Sequence, residues 1–170
     1  MTPAGDPAAV VVVLRDATDR DVPDILRCIR ALAEYERLAN ECVATEARLR
    51  ETLFGADPAA SVVLAVQNLE VVGFALWFRS YSTFLARPGI YLEDLFVFPS
   101  HRGLGVGRRL LAHLARRAVE RDLGRLEWAV LDWNVEAIRF YESLGAVPMA
   151  DWTTFRLTGD ALEALGVGSG

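Results

Sequence analysis

The spacing of apolar residues along this chain switches several times between the period of a strand and that of a helix. Val10 to Leu14 is a continuous apolar run that predicts a first strand. Asp21-Val22-Pro23 then opens a helix in which Ile25, Leu26, Ile29, Leu32 and Ala33 recur at helical spacing. A second helix is expected from Thr45, with Leu49, Leu53 and Phe54 inward and Gly55 as its stop. Ser61–Gln67 and Val71–Arg79 are rich in β-forming residues on either side of Asn68-Leu69-Glu70, which predicts a hairpin, and Tyr91–Phe98 predicts a further strand. Arg108–Arg121 carries Leu110, Leu111, Leu114, Ala115, Ala118 and Val119 on one helical face and ends before Gly124. Leu126–Leu131 follows as a strand. Asn134 is a good cap for a helix holding Ala137, Ile138, Tyr141 and Leu144, stopped by Gly145, and Thr153–Leu157 is expected as a last strand. The order is mixed α/β with a strand–helix–strand crossover at its centre.

The 170 residues suit a single domain, with an ordered core over about residues 10–160 and flexible ends at 1–8 and in the glycine-rich stretch 166–170. The apolar run Ala8–Leu14 is too short to span a bilayer and has no basic flank, so a cytoplasmic protein without a membrane partner is expected. Cys28 and Cys42 lie far from any histidine cluster; buried thiols are expected there, and no metal site. The net charge is −5, but residues 102–125 hold seven arginines against Glu120 and Asp122, a net +5, leaving −10 on the remainder. The basic segment suits a polyanion and the rest a cation. An acidic chain of this kind lacks the basic face of a nucleic-acid binder. The chain has no lysine, so it carries no ε-amine of its own.

The chemistry concentrates at residues 89–111, GIYLEDLFVFPSHRGLGVGRRLL, where a strand bearing Glu93 and Asp94 runs into a glycine-rich turn and an arginine-led helix. Gly103, Gly105 and Gly107 permit a tight turn and close approach to a ligand. The first amides of the helix have no intrahelical partner and lie at its positive end, an arrangement that holds a pyrophosphate. The segment is neither a Walker loop, which would end in Gly-Lys-Ser/Thr, nor a dinucleotide fingerprint with its distal acidic residue. A second constellation is Leu131-Asp132-Trp133-Asn134 with Ala137-Ile138-Arg139-Phe140-Tyr141. Asn134 and Tyr141 are seven residues apart, about two helical turns, and share a face.

The pattern Arg102-x-x-Gly105-x-Gly107 after a strand resembles the acyl-CoA loop of the GCN5-related N-acetyltransferases (GNAT). The stretches LAEYE (32–36), VVGFALWF (71–78), YSTF (81–84), IYLEDLFV (90–97), HRGLGVG (101–107), LEWAVLDWN (126–134) and FYESLGA (140–146) are similar to its diamine and thialysine branch, the spermidine/spermine acetyltransferase type. The resemblance covers roughly residues 10–160. It implies a mostly antiparallel central sheet with a splayed strand pair, acetyl-CoA as donor, a primary amine as acceptor, and a homodimer. It further implies that Leu95, Phe96 and Val97 hold the pantetheine amides, and that Arg102, Gly103, Leu104, Gly105, Val106, Gly107 and Arg108 hold the pyrophosphate. Asn134, Val135, Glu136 and Ala137 would lie near the arm and thiol, with Tyr141 as general acid. Tyr35, Glu36, Glu93, Asp94, Glu127 and Asp151 match positions around the acceptor amine.

On a regular strand Glu93 and Asp94 face opposite sides unless a bulge rotates one. Glu93 is the candidate base that strips the ammonium before it attacks the thioester, and a backbone N–H around Leu95 or Phe96 is expected to stabilise the developing oxyanion. Where the polyamine-preferring members have Asp-Pro, this chain has Ser82-Thr83, followed by Phe84. A hydroxyl there donates to a carboxylate, whereas an aspartate would repel it, so an acceptor resembling thialysine or a short diamine is expected. Competing readings are transfer to a polyamine, an aminoglycoside or a protein N-terminus, and a non-catalytic acyl-CoA-binding protein.

Overall fold

The computed structural model describes residues 11–168. Backbone contacts group them into two compact units, one ending at Ala129 and the other beginning at Val130.

The first unit holds β1 (Val13–Asp16), α1 (Val22–Tyr35), α2 (Glu46–Phe54), β2 (Ser61–Gln67), β3 (Glu70–Ser82), β4 (Arg87–Val97), α3 (Val106–Glu120) and β5 (Leu126–Trp128). The five strands form one sheet in chain order; the first three pairings are antiparallel and β4–β5 is parallel, the two joined by the α3 crossover. The first strand lies three residues later than the run Val10–Leu14 predicts, and Val10 is outside the described residues. Thr45 caps α2 by accepting from the Arg48 amide at 3.3 Å. Asn68 and Leu69 turn the β2–β3 hairpin with left-handed φ of 51° and 67°.

Alternation along the strands divides the sheet into two faces. On one face Val62, Leu64, Phe74 and Phe96 join Ile25, Leu26, Cys28 and Leu32 of α1 and Leu49 and Leu53 of α2 in a buried cluster. On the other, Val63, Ala65, Ala75, Trp77, Ile90 and Leu92 are buried on the side of α3, whose Leu110, Leu111 and Leu114 are also buried and whose Arg117 lies 5.7 Å from the Trp77 ring. Burial on both faces explains why β2 reads as an unbroken apolar run rather than an alternating one. Cys28 is wholly buried, which pushes its thiol up to about 12, so it is an inert core group.

The second unit contains α4 (Val135–Glu142) and α5 (Gly159–Val167). The strand expected at Thr153–Leu157 does not form: these residues are irregular and exposed, Phe155 to 91%. β-forming residues make a strand only where a neighbour completes their hydrogen bonds, and this unit supplies no strand among its described residues. β5 likewise stops at Trp128 rather than Leu131. Gly166 and Val167, expected in a flexible tail, close α5. Residues 1–10 and 169–170 lie outside the described residues.

Candidate active site

A β-bulge decides how the two carboxylates of β4 are presented. Trp77 opposes Leu92 and Leu76 opposes Asp94, so Glu93 is the extra residue. With the register shifted by one, Asp94 falls on the face of Leu76, Phe78 and Tyr91, the face that α1 covers further along at Phe74 and Phe96. Asp94 is partly buried, and its carboxyl is pushed up to about 6, first by desolvation and then by the charges of Glu93 and Glu36. Glu36, immediately after α1, is raised by its own burial. The Tyr91 hydroxyl is raised by burial and by the charges of Glu93 and Glu127, and its ring lies 5.2 Å from Phe78. Glu127 is opposite Tyr91 in the β4–β5 pairing. The fold thus gathers Glu36, Glu93, Asp94 and Glu127 on one side of the sheet.

Beside this acidic surface β4 has an open edge. β5 ends at Trp128, so its pairing with β4 stops at Leu92–Trp128, and among the described residues no strand pairs with the last five residues of β4 on that side. The Phe98 amide donates to Val72 O at 3.0 Å, toward β3. Alternation then aims the Phe96 amide toward β3 as well and those of Leu95 and Val97 at the open edge. Of the two residues expected to supply an oxyanion donor, Leu95 turns its amide to that edge and Phe96 turns its own to β3.

From Val97 the chain passes through Pro99–His101 into the loop before α3. Gly103 and Gly105 have φ of 74° and 77°, in the left-handed region where a side chain is strained. A Cβ at either would meet nothing among the described residues within 4 Å, so the glycines serve the turn. Gly105 caps α3 without a side-chain bond, and its carbonyl accepts first from Arg109 at 3.0 Å. The amides of Val106, Gly107 and Arg108 therefore precede the first intrahelical bond, and no acidic residue occupies that turn. These features fit a pyrophosphate. The Arg102 side chain turns back instead: its Nε donates to Val97 O at 2.9 Å and its guanidinium lies 4.5 Å from the Tyr35 ring centroid and 5.5 Å from that of Phe96.

Ser82, expected beside the acceptor, has its hydroxyl engaged within the protein. It is 4% exposed, and its hydroxyl accepts from Leu85 N at 3.3 Å and Arg125 Nη1 at 3.2 Å, inside the β3–β4 turn. A short polar residue at the end of a strand is consumed by its own turn, a local demand that comparison by position does not register. Thr83 and Phe84, at the tip of that turn, are exposed. Arg125, which the sequence reading passed over, pairs with Glu127 at 2.7 Å. The signal was present: opposite charges two residues apart on a strand share a face.

In the second unit Asn134 caps α4 by accepting from Ala137 N at 3.3 Å, with Val135 and Glu136 in its first turn. Tyr141 lies on the same helix, its ring 5.4 Å from that of Phe140. Asp151 is exposed in the segment that follows.

The sequence profile of the Acetyltransferase (GNAT) family matches residues 28–146, which contain both the bulged strand and the glycine loop. The chain belongs to the GNAT acetyltransferase family. Its curated relatives include the thialysine N-epsilon-acetyltransferase of Bos taurus, 38% identical and covering 91% of this chain and 96% of the relative. The L-ornithine N5-acetyltransferase of Arabidopsis thaliana is 35% identical, covering 89% and 86%. Among solved structures, an integron cassette protein from the mobile metagenome of V. cholerae superposes with a TM-score of 0.79 at 28% identity, covering 92% of this chain and 98% of that one. The glycine loop, the parallel β4–β5 pair and the bulged strand of this GNAT acetyltransferase all belong to its first unit. No helix among the described residues is long and apolar enough to cross a membrane.

Proposed function

We propose that this acetyltransferase moves an acetyl group from acetyl-CoA to the terminal primary amine of a small diamine or thialysine-like amino acid by direct attack. The observation that carries the reading is the bulge, which sets an aspartate titrating near 6 beside the outward amide of Leu95.

An alkylammonium must lose a proton before it can attack a carbonyl. Asp94 suits that task better than Glu93, because a base titrating near 6 is ionised at neutral pH yet more basic than an ordinary carboxylate. Burial first, and then the charges of Glu93 and Glu36, hold that value up, and the two glutamates with Glu127 attract the cationic acceptor. When bound, acetyl-CoA supplies an activated acetyl thioester. The amides of Val106, Gly107 and Arg108 hold its pyrophosphate, and the Val97 amide its pantetheine arm. The Leu95 amide meets the charge that develops on the carbonyl oxygen. The resemblance assigns the return of a proton to the departing sulfur to Tyr141, a phenol and a thiol differing little in intrinsic acidity. No covalent enzyme intermediate is needed, and positioning of the two reactants contributes much of the rate. The reading is supported by relatives named for thialysine and L-ornithine, whose reacting amines are primary and terminal.

The homodimer that the resemblance implies is part of the proposal. Val147, Met149, Trp152 and Phe155 are 65–91% exposed, apolar area of the kind an interface covers. Light scattering that returns the mass of one chain removes it.

The deciding experiment for the activity is thiol release from acetyl-CoA with thialysine, lysine, ornithine, putrescine, spermidine and an aminoglycoside. Turnover confined to spermidine or the aminoglycoside overturns the acceptor class. Coenzyme A binding without turnover on any amine overturns catalysis.

A further inference from the structure

The acidic face of the sheet ends on a paired charge. Arg125, one residue before β5, places its Nε 2.7 Å from Glu127 Oε2 and its Nη1 3.2 Å from the buried Ser82 hydroxyl. These two contacts hold the guanidinium in one orientation and leave Nη2 for a further acceptor, with 40% of the side chain exposed. Gly89 makes room for this pose: a Cβ there would stand 3.2 Å from Arg125 Cγ and 2.8 Å from Ser80 Oγ. That Ser80 hydroxyl is buried with no hydrogen-bond partner among the described residues, a spare polar group at the same corner. Glu127 is 37% exposed and close enough to Tyr91 to raise its hydroxyl pKa, so the pair lies on the side of the sheet that carries Asp94.

We infer that the Arg125–Glu127 pair is the specificity-determining element for the far end of the acceptor, accepting a zwitterionic head, carboxylate on Arg125 and α-ammonium on Glu127, in preference to a lone ammonium. The inference rests on the acetyltransferase reading of this site and deepens it. From Asp94 to the row of Gly89 and Arg125 is two side-chain repeats of β4, about 13 Å between backbones. The arginine shortens that gap by leaning back to Glu127, which stands one repeat along and one strand across from Asp94, about 8 Å between backbones. A lysine-length acceptor spans about 7–8 Å from its terminal nitrogen to its carboxylate, counted from ordinary bond lengths. An unpaired Glu127 would add a fourth carboxylate to Glu36, Glu93 and Asp94 and favour a diamine. Paired, it contributes little net charge, while the guanidinium offers a planar donor edge that matches a carboxylate. Ser82 contributes by fixing Arg125, not by touching the acceptor.

The test uses acceptors that differ only in the carboxylate: ornithine against putrescine and lysine against cadaverine, with kcat/KM measured at one ionic strength. Arg125→Met should lower the amino-acid-to-diamine ratio by tenfold or more, mainly through the KM of the amino acid. Glu127→Gln removes the contact for an ammonium that both acceptors carry and leaves the guanidinium for the carboxylate that only the amino acid carries, so kcat/KM should fall for both and the ratio should rise instead. Opposite signs in two adjacent variants cannot arise from misfolding, which depresses both acceptors together. A ratio that stays put in Arg125→Met, or that moves the same way in both variants, overturns the inference while leaving the acetyltransferase reading intact. A wild-type protein that turns over none of the four amines fails at the earlier step, and both fall.

Discussion

The guanidinium of Arg102 lies 4.5 Å from the ring centroid of Tyr35, and this contact joins the glycine loop to the end of α1. Arg102 belongs by sequence to the loop that fits the pyrophosphate, and Tyr35 directly precedes Glu36, one of the residues that holds up the Asp94 pKa. Removing the guanidinium should therefore affect both substrates. We expect Arg102→Ala to raise the KM for acetyl-CoA and for the amine, each by roughly three- to tenfold, as loss of one cation–π contact and one carbonyl bond allows. Arg102→Lys, which keeps the charge but not the planar stack, should recover part of the effect. Steady-state kinetics with each substrate varied in turn checks this; a change confined to acetyl-CoA would assign Arg102 to the phosphate alone.

The pH dependence of kcat/KM should distinguish Asp94 from Glu93 as base. With Asp94 titrating near 6, activity should fall on the acid side with a midpoint about there. Asp94→Asn should abolish that limb and reduce turnover by about 10²-fold or more. Glu93→Gln removes a charge that raises the Asp94 pKa, so the limb should move to lower pH with a smaller loss of turnover. The reverse outcome, with the limb lost only in Glu93→Gln, would make Glu93 the base.

The same aspartate has a stability consequence of fixed sign. Its pKa is higher in the fold than in an unfolded chain, where a carboxylate titrates near 4. The folded protein therefore holds the proton more tightly, and this contribution is fully present below about pH 4 and lost as pH rises through about 6. Asp94→Asn should stabilise the protein at pH 7 by on the order of 1–2 kcal/mol after solvent screening, and by little at pH 4. Urea unfolding at the two pH values measures the difference; equal gains at both would point to altered packing instead.

Gly105→Val places a β-branched residue at φ 77° directly before α3. Nothing among the described residues within 4 Å obstructs the added Cβ, so the fold should survive while the loop relaxes away from its left-handed turn. Calorimetry should show coenzyme A affinity reduced by about tenfold or more. Unchanged affinity in the folded variant would remove this loop from the binding site.

Tyr141→Phe retains the ring beside Phe140 and deletes only the hydroxyl. Turnover should fall by about 10²-fold or more in the folded variant, the usual contribution of a general acid. Full activity would leave Tyr141 as a packing residue.

The order of elements up to α4 was legible in the chain because each carries its own local signal. Thr45 and Asn134 cap their helices, Asn68-Leu69 turn their hairpin, and the apolar face of α3 repeats at helical spacing. The glycine loop was legible for the same reason, since its two left-handed residues are a backbone requirement that only certain side chains tolerate. The presentation of Asp94 was not. Whether two adjacent carboxylates on a strand face apart or are turned by a bulge depends on the register against β3, and register is a property of the paired strands. The pKa near 6 depends on burial and on Glu36, 58 positions earlier in the chain. Ser82 shows the same limit from the other side: its identity suggested a substrate contact, but packing gave its hydroxyl to Leu85 and Arg125. Thr153–Leu157 has the composition of a strand, but no strand pairs with it among the described residues of its unit. Composition and spacing thus determined the elements and the residue types available for chemistry. Which of those residues titrate, pair or face the acceptor was decided by contacts between segments distant in sequence, because desolvation and Coulomb interaction act through space.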